Sequence, residues 1–293
     1  MICQGTTSCD FKQATGAGGR LWTAQPELAT FDHMGRVYSL PEIYDIAFDF
    51  RNVPGEVNFL LDAVRKYADR EPRSALEFAC GPAYHVREIA RRGFVSDGLD
   101  LEPAMVAYAR ELVAKERLSA GIFEGDMRSY RTDRRYDLVY SLIASFGHLL
   151  TNEDVLSNLN CAADLLNERG LYIVSTAHPR DFYGDEEPSV KTYWTMTRGD
   201  TTVVTDWGGS NQQFDPLTEC DDVVITFSVT NGEESRQYEF TERLRRCSLN
   251  TFRALVQLSG RFEIADLLGD FDLKMPLSND RESYRMVAVL RKQ

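Results

Sequence analysis

The chain has 293 residues, enough for one large domain or for a core domain with an insertion. Its 45 acidic and 33 basic residues give a formal net charge of -12, which repels phosphates, so we expect no nucleic-acid partner. No apolar run approaches the roughly 18 residues of a membrane-spanning helix, and the polar N-terminus lacks a secretory signal pattern. The six cysteines form no C-x-x-C pair, which favours reduced thiols and a cytoplasmic location.

Helices and strands are predicted to alternate through the first part of the chain. Apolar residues three or four apart predict helices, and short apolar runs closed by turn residues predict buried strands. In chain order, the pattern predicts a helix over 56–68, a strand over 75–80, a helix over 85–92, a strand over 94–101, a helix from Pro103, strands over 121–125 and 136–143, a helix over 151–168 and a strand over 171–177. This alternation favours a parallel sheet covered by helices on both faces.

The pattern changes after His178. Residues 201–206, 222–229 and 234–245 are rich in β-formers, and Asn231-Gly232 supplies a hairpin turn. A helix over 249–259 and strands over 262–268 and 284–290 follow. The predicted fold is therefore α/β, a doubly wound, mostly parallel seven-stranded Rossmann-like sheet with an antiparallel β-rich insertion. The predicted parts are a tail and lid over 1–55, a core over 56–178, the insertion over 179–247 and the rest of the core over 248–293.

A ligand site is predicted where the strand over 75–80 turns into the next helix. Gly81 lets the backbone approach a ligand closely. Asp100 ends the second strand about 20 residues later, and its carboxylate can accept hydrogen bonds from ribose hydroxyls. A pyrophosphate needs several glycines and free N–H groups at the helix end, and this turn has one glycine. NAD and FAD are therefore disfavoured, and a ligand with a ribose but no phosphate fits better.

Four motifs carry a resemblance to a known family. LEFACGPAYH followed by GLDLEPAM resembles the first two motifs of class I S-adenosylmethionine-dependent methyltransferases, although Ala79 and Ala83 replace the outer two glycines. EGDM at 124–127 and YDLVYSLIASFGHL at 136–149 resemble the third and fourth motifs of small-molecule N- and O-methyltransferases. The resemblance implies S-adenosylmethionine as cofactor and in-line SN2 transfer of its methyl group to an oxygen or nitrogen of a small polar molecule.

The resemblance also implies roles for individual residues. Glu77 would lie near the amino end of the methionine part, Gly81 would let the backbone pass the ligand, and Asp100 would hold the ribose. Five further residues would contact the cofactor: Leu101 and Met105 beside adenine, Asp126 at the adenine amino group, Met127 on the ring, and Leu142 through its carbonyl at the ammonium. Tyr44, in the lid-like segment EIYDIAF, would close over the methionine end.

The acceptor side is predicted from residues that follow the fourth and fifth strands. His148 and His178 stand there, and an imidazole can take a proton from an amine or hydroxyl near neutral pH. A structural imidazole, hydrogen-bonded to the lid, is the alternative. Trp207 and Tyr183 are expected to contact the substrate, with packing inside the insertion as the alternative for Trp207. The sequence contains no pattern of metal ligands, so no metal is expected.

Other readings stay open at this stage. The same fold could consume S-adenosylmethionine as a lyase or cyclase that releases methylthioadenosine, or could bind it without catalysis. Residues 38–52 contain four aromatic rings and no clean periodicity, which favours a mobile lid that orders on cofactor binding; a fixed helix on the sheet edge is the alternative. The oligomeric state is not determined, and a homodimer is one possibility.

Overall fold

The computed structural model describes residues 36–182, 192–208 and 214–293. The α-helices of this part are α1 (Pro41–Ala47), α2 (Val53–Ala63), α3 (Tyr84–Arg91), α4 (Pro103–Lys115), α5 (Asn152–Leu165) and α6 (Leu249–Ser259). The strands are β1 (Ser74–Phe78), β2 (Val95–Asp100), β3 (Ala120–Glu124), β4 (Tyr136–Ser141), β5 (Leu166–Ala177), β6 (Tyr193–Arg198), β7 (Thr201–Trp207), β8 (Phe214–Asp215), β9 (Cys220–Asn231), β10 (Glu234–Arg245), β11 (Phe262–Leu268) and β12 (Arg285–Lys292). A π-helical turn, Val64–Ala68, extends α2, and short 3-10 helices span Val37–Ser39, Ser145–His148 and Pro179–Phe182.

Two sheets organise these elements. The first has seven strands in the order β11-β12-β5-β4-β1-β2-β3, and within it β12 is antiparallel to both neighbours while β1 to β5 pair in parallel. The second is antiparallel, in the order β10-β9-β7-β6 with β8 paired to β9. The predicted α/β class and the antiparallel addition are confirmed, whereas the predicted domain boundaries stay predictions.

Helices cover both faces of the seven-stranded sheet. Side chains alternate along β1, so Leu76 and Phe78 pack on the side of α5 and α6, while Ala75 packs on the side of α2. A strand buried on both faces needs an apolar run, which is why β1 is readable from the sequence. By the same alternation Glu77 belongs to the α2 face, which places a carboxylate in an otherwise apolar layer.

The structure corrects several predicted elements. Helix α5 ends at Leu165, not near residue 168, because Leu166 already pairs with Tyr136 at the start of β5. Strands β6 and β8 were not predicted; each is held by its partner strand and not by an apolar pattern of its own. No helix of the described residues is long and apolar enough to cross a membrane.

The segment without periodicity contains a helix, α1. It has seven residues, too few to establish a period, and its contacts point in several directions. The Trp194 indole donates to the Ala47 carbonyl at 2.7 Å, and the buried Asp45 carboxylate accepts from the Tyr108 hydroxyl at 2.9 Å and pairs with Arg198. Helix α1 is thus held between the core helices and the second sheet, and ordering of the lid by cofactor stays a prediction.

Candidate functional site

The turn after β1 adopts the left-handed backbone conformation at three alternate residues. Ala79, Gly81 and Ala83 have φ angles of 52°, 51° and 58°. These are the three positions at which the resembled motif has glycine, so the backbone shape is kept although two side chains differ. A Cβ added to Gly81 would meet no atom within 4 Å, which leaves open space beside the turn for a ligand.

Asp100 connects this turn to the end of β2. One carboxylate oxygen accepts from the Gly81 N–H at 2.7 Å, and the other accepts from the Glu102 N–H at 2.9 Å. Burial raises the pKa of Asp100, and the two backbone hydrogen bonds offset this only in part. Since a carboxylate has about four lone-pair sites, two remain for hydroxyl groups of a ligand.

Glu77 is the second-last residue of β1 and lies next to this turn. Its side chain is buried, and Oε1 lies 2.7 Å from Nδ1 of His85. Oε2 is buried and accepts no hydrogen bond of good geometry from the residues that the structure describes, although the buried Tyr140 hydroxyl lies near this carboxylate and its pKa is raised in part by Glu77. A buried carboxylate oxygen without such a hydrogen bond carries a large desolvation cost, so this atom suits a cationic group of a ligand.

The residues expected around adenine differ in how exposed they are and in which partners they have. Leu101 is 52% exposed beside Asp100, whereas Met105 is fully buried in α4. The Asp126 carboxylate is bound by the backbone and guanidinium of Arg128, which lowers the pKa of Asp126. Met127 is half-buried against the core beneath β4 and β5. Leu101 is therefore the member of this set that offers exposed apolar surface.

The loop after β4 is strained. Ile143 and Ala144 have φ angles of 53° and 57°, and a β-branched residue rarely adopts this conformation. The preceding Leu142 carbonyl accepts from the Ser145 N–H at 3.2 Å, which leaves a second lone pair available. Backbone strain of this kind is often found at functional sites, and the contact of Leu142 with a ligand stays a prediction.

Tyr44 of α1 packs among aromatic rings of its own segment and of the second sheet. Its ring stacks on Phe48 at 4.4 Å between centroids and meets Trp207 edge-on at 6.4 Å. Burial raises its pKa, and the negative charges of Asp100 and Glu77 raise it further. The charge of Arg51 opposes this effect, and the role of Tyr44 in closing the site stays a prediction.

His148 pairs with a tyrosine that the sequence did not single out. The Tyr38 hydroxyl lies 2.8 Å from Nε2 of His148, and the two rings meet edge-on. Burial lowers the pKa of His148 to about 4, helped by the charge of Arg36, and burial raises the pKa of Tyr38 well above its ordinary value. Near neutral pH both groups are therefore uncharged. The alternative for His148, a hydrogen bond to the lid segment, describes this contact with Tyr38. A catalytic role of His148 stays a prediction.

His178 has both ring nitrogens engaged. Nδ1 accepts from the backbone N–H of Arg180 at 3.1 Å, so Nε2 carries the proton and donates to the Ser278 carbonyl at 2.9 Å. These bonds tie the end of β5 to the loop between β11 and β12. His178 also borders a cavity of about 530 Å³, together with Leu249 and Arg253. Its catalytic role stays a prediction.

Of the two predicted substrate contacts, Tyr183 and Trp207, the structure describes Trp207. Tyr183 lies outside the described residues. Trp207 packs on Phe48 at 5.5 Å and on Trp194 at 6.5 Å between ring centroids, so much of its surface supports α1. Among the residues that the structure describes, no group of three or more His, Cys, Asp or Glu could hold a metal ion. Substrate contact by Trp207 stays a prediction.

The sequence predicted no role at the site for four residues that contact Glu77 or His148 directly or through His85: Tyr38, Arg51, Glu56 and His85. His85 is almost fully buried and touches Glu56 as well as Glu77. A histidine directly after the turn and an acid in α2 carry no signal of their own, because only the packing of α2 against α3 brings them together. The contact between Tyr38 and His148 likewise joins residues that lie 110 positions apart in the chain.

Comparison with known proteins finds similarity to methyltransferases. Residues 75–170 match a family described as "Methyltransferase domain". A stretch of 135 residues is 29% identical to dTDP-3-amino-3,4,6-trideoxy-alpha-D-glucopyranose N,N-dimethyltransferase of Streptomyces venezuelae, covering 45% of this chain and 55% of that protein. A stretch of 183 residues is 28% identical to dTDP-3-amino-3,6-dideoxy-alpha-D-glucopyranose N,N-dimethyltransferase of Streptomyces fradiae, covering 62% and 66%. The matched parts span less than two thirds of either relative.

Solved structures share the fold. The crystal structure of Streptomyces venezuelae DesVI superposes with a TM-score of 0.68 at 20% identity, over 84% of this chain and 96% of that one. CalS10 from Micromonospora echinaspora, described as an amino pentose methyltransferase with S-adenosylmethionine bound, gives a TM-score of 0.66 at 18% identity, over 86% and 97%. At these identities the likeness shows the fold.

Proposed function

The chain belongs to the class I S-adenosylmethionine-dependent methyltransferase family, and we propose that it methylates the nitrogen of a small polar molecule such as an amino sugar. The observation that carries this proposal is the strand-end group of Glu77, Gly81 and Asp100 next to Tyr44. Nitrogen as the acceptor atom is supported by the two relatives whose names specify N,N-dimethylation of amino sugars.

The residues at this edge suit the cofactor. The buried Glu77 Oε2 would bind the ammonium of the methionine part, and the second lone pair of the Leu142 carbonyl would assist. The two remaining lone-pair sites of Asp100 would bind the ribose hydroxyls beside the open space at Gly81. Around the adenine we propose the remaining predicted contacts, Leu101, Met105, Asp126 and Met127.

S-adenosylmethionine supplies an electrophilic methyl group on a sulfonium, which a neutral amine can displace in line. The chain's contribution is to make the amine neutral and to hold it. A buried pocket disfavours the charged form of an amine, just as it lowers the pKa of His148. We propose that His148 accepts the proton or hydrogen bond of the amine, while Tyr38 fixes the orientation of the imidazole. Tyr44 and Trp207 would exclude water from above.

Product analysis tests this function. The full chain is incubated with S-adenosylmethionine and a panel of free and nucleotide-linked amino sugars, each paired with its hydroxyl counterpart. We expect S-adenosylhomocysteine together with an N-methylated product. Methylthioadenosine without a methylated product would identify a lyase or cyclase, and cofactor binding without turnover on any acceptor would identify a binding protein. Methylation of the hydroxyl counterparts would overturn nitrogen as the acceptor.

The cofactor assignment has its own test. A ligand that binds only the native state raises the melting temperature, so S-adenosylhomocysteine should stabilise the protein while NAD and FAD should not. The reason is the single-glycine turn, which provides no cradle for a pyrophosphate. A larger shift with NAD than with S-adenosylhomocysteine would overturn the assignment of this site.

A further inference from the structure

A chain of buried hydrogen bonds stands behind Glu77. His85 Nδ1 lies 2.7 Å from Glu77 Oε1, and His85 Nε2 lies 2.7 Å from Glu56 Oε2. The guanidinium of Arg51 pairs with the same oxygen of Glu56. These groups come from β1, α2, α3 and the loop between α1 and α2, and the side chains of all four are at most 11% exposed.

The contacts of His85 favour the protonated ring. Each ring nitrogen lies 2.7 Å from a carboxylate oxygen, which can only accept, so Nδ1 donates to Glu77 and an imidazolium also donates from Nε2 to Glu56. The Arg51 guanidinium lies 3.1 Å from the same Nε2 and opposes that second proton. Burial alone would lower the pKa of His85, but the charge of Glu77 and the hydrogen bonds to Glu56 and Glu77 outweigh burial and the repulsion from Arg51, and the pKa is raised.

This bond constrains Glu77 at one oxygen only. Oε1 is held by the imidazolium, which fixes the side-chain rotamer, while Oε2 stays buried and accepts no hydrogen bond of good geometry in the described part of the chain. An imidazolium between Glu77 and Glu56 also removes the repulsion that two buried carboxylates would exert on each other. Without it, the Glu77 side chain would be free to turn away, which would weaken its attraction for a cation.

We propose that His85 is a positioning residue that holds the Glu77 carboxylate oriented for the ammonium of the cofactor's methionine part. This inference rests on the proposed function, since it assumes that Glu77 meets that ammonium. It assigns to His85 no contact with the cofactor itself. It also predicts that His85 affects only ligands that possess the ammonium.

Two ligands separate the positioning role from a structural one. S-adenosylhomocysteine carries the amino-acid part, whereas 5′-methylthioadenosine has the same adenosine and a thioether but no ammonium. In His85→Gln the amide takes the place of Nε2 and loses the bond to Glu77, whereas in His85→Asn the amide takes the place of Nδ1 and keeps it. Tyr172→Phe, which removes a buried 2.7 Å hydrogen bond to Asn158 elsewhere in the core, is the matched control.

Calorimetric titration of the full chain gives the decisive ratios. In His85→Gln we expect the dissociation constant of S-adenosylhomocysteine to rise about 10- to 100-fold, the usual effect of losing a charge-assisted hydrogen bond, with that of 5′-methylthioadenosine within about twofold of wild type. His85→Asn should recover most of the loss, and Tyr172→Phe should change neither constant. Glu77→Gln should reproduce the ammonium-specific loss, which keeps the test valid if His85→Gln does not fold.

Three results would overturn the inference. These are an equal loss for both ligands in His85→Gln, no loss for either, or equal losses in His85→Gln and His85→Asn. A wild-type chain that binds neither ligand would be a different result: the proposed function would itself be wrong, and the role of His85 would fall with it.

Discussion

Two buried histidines of this protein have pKa values that are shifted in opposite directions. His85 lies between the carboxylates of Glu77 and Glu56, and its pKa is raised. His148 lies against the hydroxyl of Tyr38, and its pKa is lowered to about 4. Burial opposes charge at both positions, so the difference comes from the neighbours: carboxylates compensate the imidazolium at one, and a neutral phenol does not at the other.

The comparison separates the two halves of the site. The half around His85 is a charged network suited to the zwitterionic end of a cofactor. In the half around His148 the imidazole and the Tyr38 phenol are both neutral near pH 7, which favours a neutral amine, the form that attacks a sulfonium. Changes in the first half should therefore affect cofactor affinity, and changes in the second should affect turnover.

The largest expected effect is on turnover at His148. In His148→Phe the buried ring is kept but no nitrogen can accept a proton, and we expect kcat to fall about 100- to 10,000-fold, the range for loss of a general base. The affinity for S-adenosylhomocysteine, measured by calorimetry, should be unchanged. Tyr38→Phe should give a smaller loss, since the imidazole stays but loses its hydrogen bond. Wild-type turnover in His148→Phe would contradict the assignment.

The next effect is the pH dependence of stability contributed by His148. Its pKa is about 4 in the folded state and about 6.5 in the unfolded state, so its contribution is complete above pH 6.5 and is lost as pH falls towards 4. The loss amounts to about 3 kcal/mol, from roughly 1.4 kcal/mol per pKa unit. Urea unfolding between pH 7.5 and 4 should show it in wild type and not in His148→Phe; equal slopes would refute it.

His85 should show the opposite sign. The groups that face it are Glu77 of β1, Glu56 of α2, Arg51 before α2 and the Tyr140 ring of β4. Because its pKa is raised, its contribution is complete below the ordinary value of 6.5 and is lost as pH rises through the folded-state value. Relative to His85→Gln, wild type should therefore lose stability above pH 6.5 in urea unfolding. A gain in that range would mean that the buried ring is neutral.

The two strand-end aspartates extend the comparison to ligand affinity. Asp100 is bound only by backbone N–H groups, whereas Asp126 is neutralised by Arg128. We expect Asp100→Ala to weaken binding of S-adenosylhomocysteine by about 1–3 kcal/mol and Asp126→Ala by less than about 1 kcal/mol. Calorimetric titration of both folded variants decides this. An unchanged constant in Asp100→Ala would remove it from the site.

The smallest expected effect concerns the turn that both halves share. The left-handed conformation costs an L-residue roughly 1–2 kcal/mol, and glycine avoids this cost but loses more backbone entropy on folding. We therefore expect Ala79→Gly to raise the free energy of unfolding by about 0.5–1 kcal/mol. Ala83 is fully buried, and loss of its methyl group should cancel the gain in Ala83→Gly. Gly81→Ala is the reverse control and should destabilise. If Ala79→Gly lowers the free energy of unfolding, the packing of the Ala79 methyl group stabilises the protein by more than the left-handed backbone conformation costs.

Much of the fold was predictable because its information is local. Buried strands such as β1 and β4 need continuous apolar runs, and turns and caps need particular residues, such as Thr151 and Asp154 at the start of α5. Asp100 was singled out for the same reason, because it ends the second strand, whereas Glu77 was assigned through the family resemblance. A parallel sheet brings the carboxyl ends of its strands to one edge, so the position of Asp100 in the sequence already assigns it to the site.

Tertiary structure alone decided the charge and partners of the site. The sequence contains His85 and His148 as the same residue type, and nothing near either in the chain says that one meets two carboxylates and the other a phenol. Glu56 and Tyr38 reach them from 29 and 110 residues away. Helix α1 was missed for a related reason, because seven residues held from several sides have no single apolar face. Sequence determines which groups can ionise, whereas packing determines their neighbours, and at buried positions the neighbours set the charge.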